Sequence, residues 1–578
     1  MSTSPALLNR IKRIKSIKRL TVLSLAITAI GACSVMPFLP DSKATAPVLD
    51  GFGDSTLIPS QASPAAQRLF AQGMAQVYAF NETEAIRAFK AALAQDANCA
   101  MCAWGVAYQM GPSINSPSRG DLTEAVKYVD YALKHSAGSS ARDQALIDSL
   151  ALRYAHSSLK RELTPLLGEI CAVKGGSNKR ADPLDIAYAE RMHDLVKRFP
   201  NDPDILSIYA EAEMVATTED WWDKKTGNAN GKMGEVADLI EAALHIHPKH
   251  TGLNHYMIHS VDDVHVANRA VPAADRLGQL APKSPHLLHM PSHTYAQVGR
   301  YADATRVNQL AVAADEAMFV ELRKQNFSIS KDWRGHNRHF QWYGAIMDGR
   351  GDLAIETARA AAKQAQGDHT YFEYVRSLPI LSLMYLQRWD AIEKEALPKG
   401  EQGVAISLGE MAKGTALART GKITEAKAAL TRLQTAATTL LKKNLGSGYT
   451  SNMVKNLVQT AQFQLNAEIA FAENRTDDAL NLQSKAAKAA AAVDDSEPPM
   501  LAGATLRRLA QMQAQSKRYP AAEQSYREDL KIHPNNGWAL QGLTNVLQAQ
   551  GKQSEAQTTK AELERNWKNA DAQLRGLN

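Results

Sequence analysis

The 578-residue chain exceeds one ordinary globular core, so several domains or a repeat array is expected. Hydrophobic residues make up 45% and aromatics only 6%, with alanine throughout, a mixture that suits packed helices better than sheets. The net charge of +6 sits in Arg10, Lys12, Arg13, Lys15, Lys18 and Arg19; 66 basic residues less these six leaves 60 against 60 acidic, which removes the electrostatic case for nucleic acid.

Residues 1–33 read as a secretory signal: a basic stretch, then the apolar run Leu20–Ala32, too short to span a bilayer comfortably. Its end, Ile30-Gly31-Ala32-Cys33, resembles a bacterial lipobox. That resemblance implies lipidation of Cys33 and, with Ser34 following, sorting to the periplasmic side of the outer membrane. A secreted or freely periplasmic protein is the alternative. Residues 34–63 are rich in Pro, Gly and Ser without periodicity and read as a flexible linker between lipid and body.

From Pro64 the pattern is helical almost to the end. Cys99 and Cys102 form a CxxC followed by Ala103, not the histidine that haem attachment needs. A local disulfide or buried thiol pair is favoured over a metal site, with Cys171 left over. Helices are expected near 141–160, 182–198 and 203–217, broken at Lys174–Ser177 and Pro200–Pro203. Trp221-Trp222, ahead of the Gly227–Gly234 segment, reads as an exposed loop with an aromatic foot.

Leu69, Gly73, Ala85, Phe89 and Ala92 match positions 4, 8, 20, 24 and 27 of a 34-residue helix-turn-helix repeat and resemble the tetratricopeptide (TPR) consensus. The small residues at 8 and 20 let two helices cross closely. With the alanine at 20 as a ruler, the series runs Ala85, Ala125, Ala237, Ala270, Ala304, Ala354, Ala391, Ala426, Ala479, Ala522 and Ala556. The fold class expected is therefore all-α, and the resemblance implies a TPR-type helical-hairpin solenoid wound as a right-handed superhelix. An array over 64–350 and a further set of repeats over 351–578 follow, with an insertion around Phe319–Asp332 and a polar capping helix at the end.

Eleven of the 16 histidines fall between His245 and His339. His255/His259 and His289/His293 are each spaced i,i+4, and the two pairs are 34 residues apart. In TPR repeats, positions 2, 5, 9, 12 and 13 face the concave groove. His255, His259 and Asp262 take 5, 9 and 12 of one repeat; His286, His289, His293 and Gln297 take 2, 5, 9 and 13 of the next. His336, His339 and Tyr343 take 2, 5 and 9 of the third.

Paired imidazoles one helical turn apart can hold one ion, so His255, His259, His289 and His293 are read as one metal site, with Asp262, His336 and His339 as further ligands. A nitrogen-rich set suits Zn, Cu, Fe or Ni rather than Ca or Mg. His286, Gln297 and Tyr343 are read as lining a ligand groove. Three readings compete: structural histidines, a groove for a protein, peptide or polar ligand, and a transition-metal site. Groove positions do not carry the TPR core, which speaks against the first.

Cys99–Gly105, Gly111–Asn115, Asn254–His259, His286–His293 and His336–Phe340 further resemble a group of bacterial TPR proteins of unassigned function, over roughly residues 64–350. That resemblance implies no activity. The groove departs from the Lys/Asn clamp that holds C-terminal carboxylates, so chaperone-tail binding is not expected. HExxH, GxSxG and phosphate-binding glycine loops are all missing, and Ser292 beside two histidines carries little weight as a nucleophile. Pro291 within His289–His293 breaks a local helix rule beside the histidines, as functional sites often do. A lipid-anchored scaffold and a metalloprotein, enzyme or not, both remain open.

Overall fold

A computed structural model describes residues 38–115, 121–154, 182–218, 220–328, 333–367, 369–443, 449–494 and 496–574. The signal segment with Cys33, the break at Lys174–Ser177, Cys171 and residues 329–332 of the insertion lie outside these. The described chain is all-α: helices from Pro64–Tyr78 to Gln553–Asn566 pack as antiparallel hairpins, and an isolated bridge pairs Trp222 with Ala229. Among the described residues no helix is long and apolar enough to cross a membrane.

The repeat register has a backbone signature. Residues 80, 299, 349, 421, 474, 517 and 551 have positive φ, and each precedes a ruler alanine by five. The chain must reverse there between two packed helices, and only a left-handed residue lets it turn so tightly. Gly299, Gly349, Gly421 and Gly551 adopt this freely, whereas Phe80 and Lys517 pay about 1–2 kcal/mol for it. The ruler alanines at 85, 237, 270, 304, 354, 426, 479 and 522 are fully buried, so the helices meet there. At 391 the register is off by one: Gln387 carries the positive φ and Ile392, five residues on, is buried while Ala391 is only partly so. Gly73 is small for the expected reason, since a Cβ there would lie 2.4 Å from the Phe89 ring.

One expectation is corrected. The segment ahead of Pro64 is irregular but not a free tether: Arg87 Nε donates to Thr45 O (3.2 Å) and Gln72 Nε2 to Pro47 O (2.8 Å). Leu49 N donates to Gln72 Oε1 (2.9 Å), Ser55 Oγ and Thr56 N donate to the buried Asp204 carboxylate (2.8 and 3.0 Å), and Ser60 N donates to Asp143 (2.7 Å). Trp221 and Trp222 form the buried foot of a loop that is largely exposed over residues 223–231, as expected, and Trp222 Nε1 donates to Ser260 O at 2.7 Å. Contacts also reach beyond neighbouring repeats. Trp538 Nε1, Trp567 Nε1 and Asp571 N donate to the carbonyls of Ile346, Met347 and Gly349 at 2.8, 2.9 and 2.9 Å. One apolar cluster runs from Tyr301 to Leu574, so the last hairpin closes on the middle of the array and residues 64–350 and 351–578 form one unit. Cys99 and Cys102 are joined by a disulfide at the start of the Ala100–Met110 helix.

Candidate metal centre

Three helical stretches bring the histidines together. Thr251–Ser260 is capped by His250, whose Nδ1 accepts from Leu253 N (3.1 Å) while its Nε2 faces Asp204 Oδ1 (3.2 Å). Tyr78 OH donates to the same carboxylate at 2.6 Å. Burial alone would raise the Asp204 carboxyl, but hydrogen bonds from His250, Thr56 and Tyr78 hold it down to about 2. Gly252 makes room, since a Cβ there would lie 2.8 Å from the Tyr78 ring.

The second stretch is Pro285–His289 followed by Pro291–Gln297. Pro291 has no N–H for the ladder, yet Met290 stays right-handed helical (φ −50, ψ −38), so the helix is interrupted without changing course. The third is Arg334–Met347, where Gly344 lies against Thr305.

The histidines form two trios rather than one quartet. In the first, His255 Nε2 lies 3.1 Å from both His259 Nε2 and His286 Nε2. In the second, His289 Nε2 lies 3.0 Å from His293 Nε2 and 3.1 Å from His336 Nε2. In each trio the candidate ligand atoms lie within 4.8 Å of one another. The composition is the same twice over: positions 5 and 9 of one repeat with position 2 of the next. The 34-residue period thus copies a whole three-nitrogen set, and His286, read as a groove residue, completes the first.

His339, read as a ligand, belongs to neither. Its Nε2 faces Tyr374 OH (2.8 Å) and its Nδ1 faces Tyr371 OH (3.2 Å). Counted from Ile392, Tyr374 is position 2 of the following repeat, so a third set exists in outline with phenols in place of imidazoles. Tyr343 packs edge-on to Tyr301 (6.0 Å) in the apolar cluster, away from any groove. Gln297 Nε2 donates to Asp262 Oδ1 at 3.3 Å and so serves the carboxylate.

None of this lines an open groove. The six trio histidines are at most 2% exposed. Phe80 lies 4.5, 5.4 and 4.9 Å from the rings of His255, His259 and His286, and Phe340 lies 4.8, 4.5 and 5.1 Å from those of His289, His293 and His336. Trp333 sits 4.7 Å from His286. Glu497, more than 200 residues further along the chain, brings Oε2 within 3.3 Å of His293 Nδ1. Burial pushes His255 down to about 3 and, with the neighbouring imidazoles adding to it, holds His259, His286 and His289 well below the usual range, so these rings are neutral.

The outward nitrogens fix which way the lone pairs point. Asn308 Nδ2 donates to Ala304 O (2.7 Å), which leaves its Oδ1 facing His289 Nδ1 at 2.7 Å. His289 must therefore carry its proton on Nδ1. His293 Nδ1 faces Asp262 Oδ2 at 3.0 Å and is likewise the protonated nitrogen. Asp262, read as a ligand, thus orients one. The two Nε2 atoms then lie 3.0 Å apart, a spacing at which they share either a proton or a metal ion. Nitrogens bound tetrahedrally at ~2.0–2.1 Å to one ion lie about 3.3 Å apart, near the 3.0–3.1 Å of two edges in each trio, while the third edge lies within 4.8 Å.

Sequence reasoning missed Phe80, Asn308, Trp333, Phe340 and Glu497. Phe80 alone carried a local signal, a bulky residue where the turn favours glycine.

No family model matches the chain, and no curated protein does. Among solved structures, a human IFIT1 dimer with m7Gppp-AAAA aligns at 11% identity over 89% of this chain and 96% of that one, TM-score 0.30. A chain of the APC/C hetero-tetramer Cut9–Hcn1 aligns at 15% over 88% and 74%, TM-score 0.27. Yeast Tom70 aligns at 12% over 88% and 93%, TM-score 0.27. The chain is an all-α, TPR-type solenoid. That assignment rests on its own hairpins and turn register, and nothing about ligands is carried over from these neighbours.

Proposed function

We propose that this protein binds transition-metal ions in two buried three-histidine sites, His255/His259/His286 and His289/His293/His336. The carrying observation is the 3.0 Å separation of the Nε2 atoms of His289 and His293, whose Nδ1 atoms face Asn308 Oδ1 and Asp262 Oδ2. Imidazoles backed by a carboxylate and an amide are the donor set that Zn, Cu, Fe and Ni favour. A proton shared between the two rings is the competing explanation, and metal content separates them. The purified chain, equilibrated with Zn(II) or Cu(II) and passed through a desalting column, should retain two ions, and His259→Gln or His293→Gln should each retain one. A chain that retains none under either metal overturns the reading.

A second reading, a binding or scaffold role, finds support elsewhere in the fold. A cavity of about 420 Å³ in the last hairpins is lined by Gln387, Gln511, Gln515, Gln541, Asn545 and Gln548 with Tyr519, Tyr526 and Trp538. Gln541, Asn545 and Gln548 occupy groove positions 5, 9 and 12 counted from Ala556, so a peptide segment would lie there and not over the histidines. Loss of peptide-library binding on Gln541→Ala with Asn545→Ala tests it. Attachment through Cys33 to the periplasmic face of the outer membrane completes the proposal.

A further inference from the structure

The two trios are not separated along the solenoid as two independent sites would be. His286 of the first and His289 of the second lie on the same five-residue helix, Pro285–His289, at i,i+3, so one turn of backbone supplies a ligand to each. Their ring centroids are 6.2 Å apart. Within the trios, His259 and His286 are 6.4 Å apart and His293 and His336 are 6.1 Å apart. The nearest rings of neighbouring trios are thus as close as the most widely separated rings within each trio.

Resting on the metal reading above, we propose that the six histidines form a single dinuclear copper centre, whose two ions are close enough to share a bridging hydroxide. Copper is the metal such a set favours, because it binds nitrogen donors most tightly of the divalent first-row ions and each trio offers imidazole alone. The charge balance calls for a bridge. Two Cu(II) ions bring four positive charges into a buried site, and Asp262 and Glu497, both at His293 Nδ1, supply two negative ones. A hydroxide formed from solvent water, its proton leaving to bulk, supplies a third and sits between the ions. Two-metal sites elsewhere hold their ions about 3.5–4 Å apart, a spacing that one shared helical turn allows.

Magnetic coupling distinguishes a bridged pair from two separate ions. The full chain, purified in detergent and loaded with Cu(II), is analysed for copper content and for the integrated electron paramagnetic resonance signal. The expected result is two coppers per chain with less than a tenth of the corresponding spin. Removing one ligand of one trio, by His286→Gln or His336→Gln, should leave one copper with its full signal, a more than fivefold rise in spin per copper. Two coppers with two full spins would overturn the dinuclear centre while leaving metal binding intact. One copper per wild-type chain would also overturn it. No copper with zinc retained overturns the choice of metal, and no retention of either ion overturns both readings. The wild-type spectrum decides the question even where a variant fails to fold.

Discussion

Changing Asp262 to Asn tests how the protein tunes one trio apart from the other. Asp262 Oδ2 accepts the Nδ1 proton of His293 at 3.0 Å, and its Oδ1 is held by Gln297 Nε2 at 3.3 Å. Asparagine keeps an acceptor at that position and removes the charge, so His293 keeps its tautomer but becomes a weaker base. Losses of this kind lower metal affinity about 10–100-fold, or ~1.4–2.7 kcal/mol. Glu497 Oε2, 3.3 Å from the same nitrogen, stands ready to take the proton in part, so the single change should fall near the tenfold end. The double variant Asp262→Asn/Glu497→Gln should approach a hundredfold. Competition of Zn(II) against a chromophoric chelator resolves the two sites as two steps. Only the step belonging to His289/His293/His336 should weaken, because His293, whose Nδ1 both carboxylates face, is a member of that trio. Equal weakening of both steps, or a double variant no weaker than the single, refutes the assignment of Asp262 and Glu497 as orienting groups.

Gly252→Ala places a Cβ 2.8 Å from a Tyr78 ring that Asp204 holds in place, so it should cost ~1–3 kcal/mol by denaturant unfolding and lower occupancy of the His255 site first. His339→Asn should leave metal content unchanged, since that ring faces Tyr371 and Tyr374. The same variant should lessen acid sensitivity. Burial pushes His339 down to about 3 from an ordinary 6.5, so the folded ring binds fewer protons than the unfolded one between those values. Its contribution is intact above pH ~6.5 and falls as pH drops, by about 2 kcal/mol at pH 5, which unfolding curves at pH 7 and 5 on wild type and variant will show or exclude. Cys33→Ala should release the protein from membranes or leave an unprocessed precursor, and unchanged fractionation with no lipid label on wild type would count against the anchor.

The architecture was legible because a TPR hairpin repeats its packing demands: alanine at the helix crossing and a residue able to turn left-handed five positions earlier. The site was half legible for the same reason. A 34-residue spacing places His255 beside His259 and His289 beside His293, but it does not say that the third ligand comes from position 2 of the following repeat. Hence His286 looked like groove lining, and His339 looked like a ligand although its neighbours at the equivalent places are tyrosines. Burial was not legible at all. The surface that repeat logic leaves open is covered by Phe80, Trp333 and Phe340 and by Glu497, which arrives from a distant loop. That loop is held against the site by Tyr374, whose OH donates to Met500 O at 2.8 Å, a contact that nothing local in the sequence announces.

Anomalous diffraction from crystals of the copper-loaded or zinc-loaded protein, collected across the metal edge, tests the central claim most directly. The account predicts two peaks, one within bonding distance, ~2.0–2.1 Å, of the Nε2 atoms of His255, His259 and His286, the other of His289, His293 and His336. Peaks at other side chains, or no ordered peak with both trios still closed at their present distances, would contradict it.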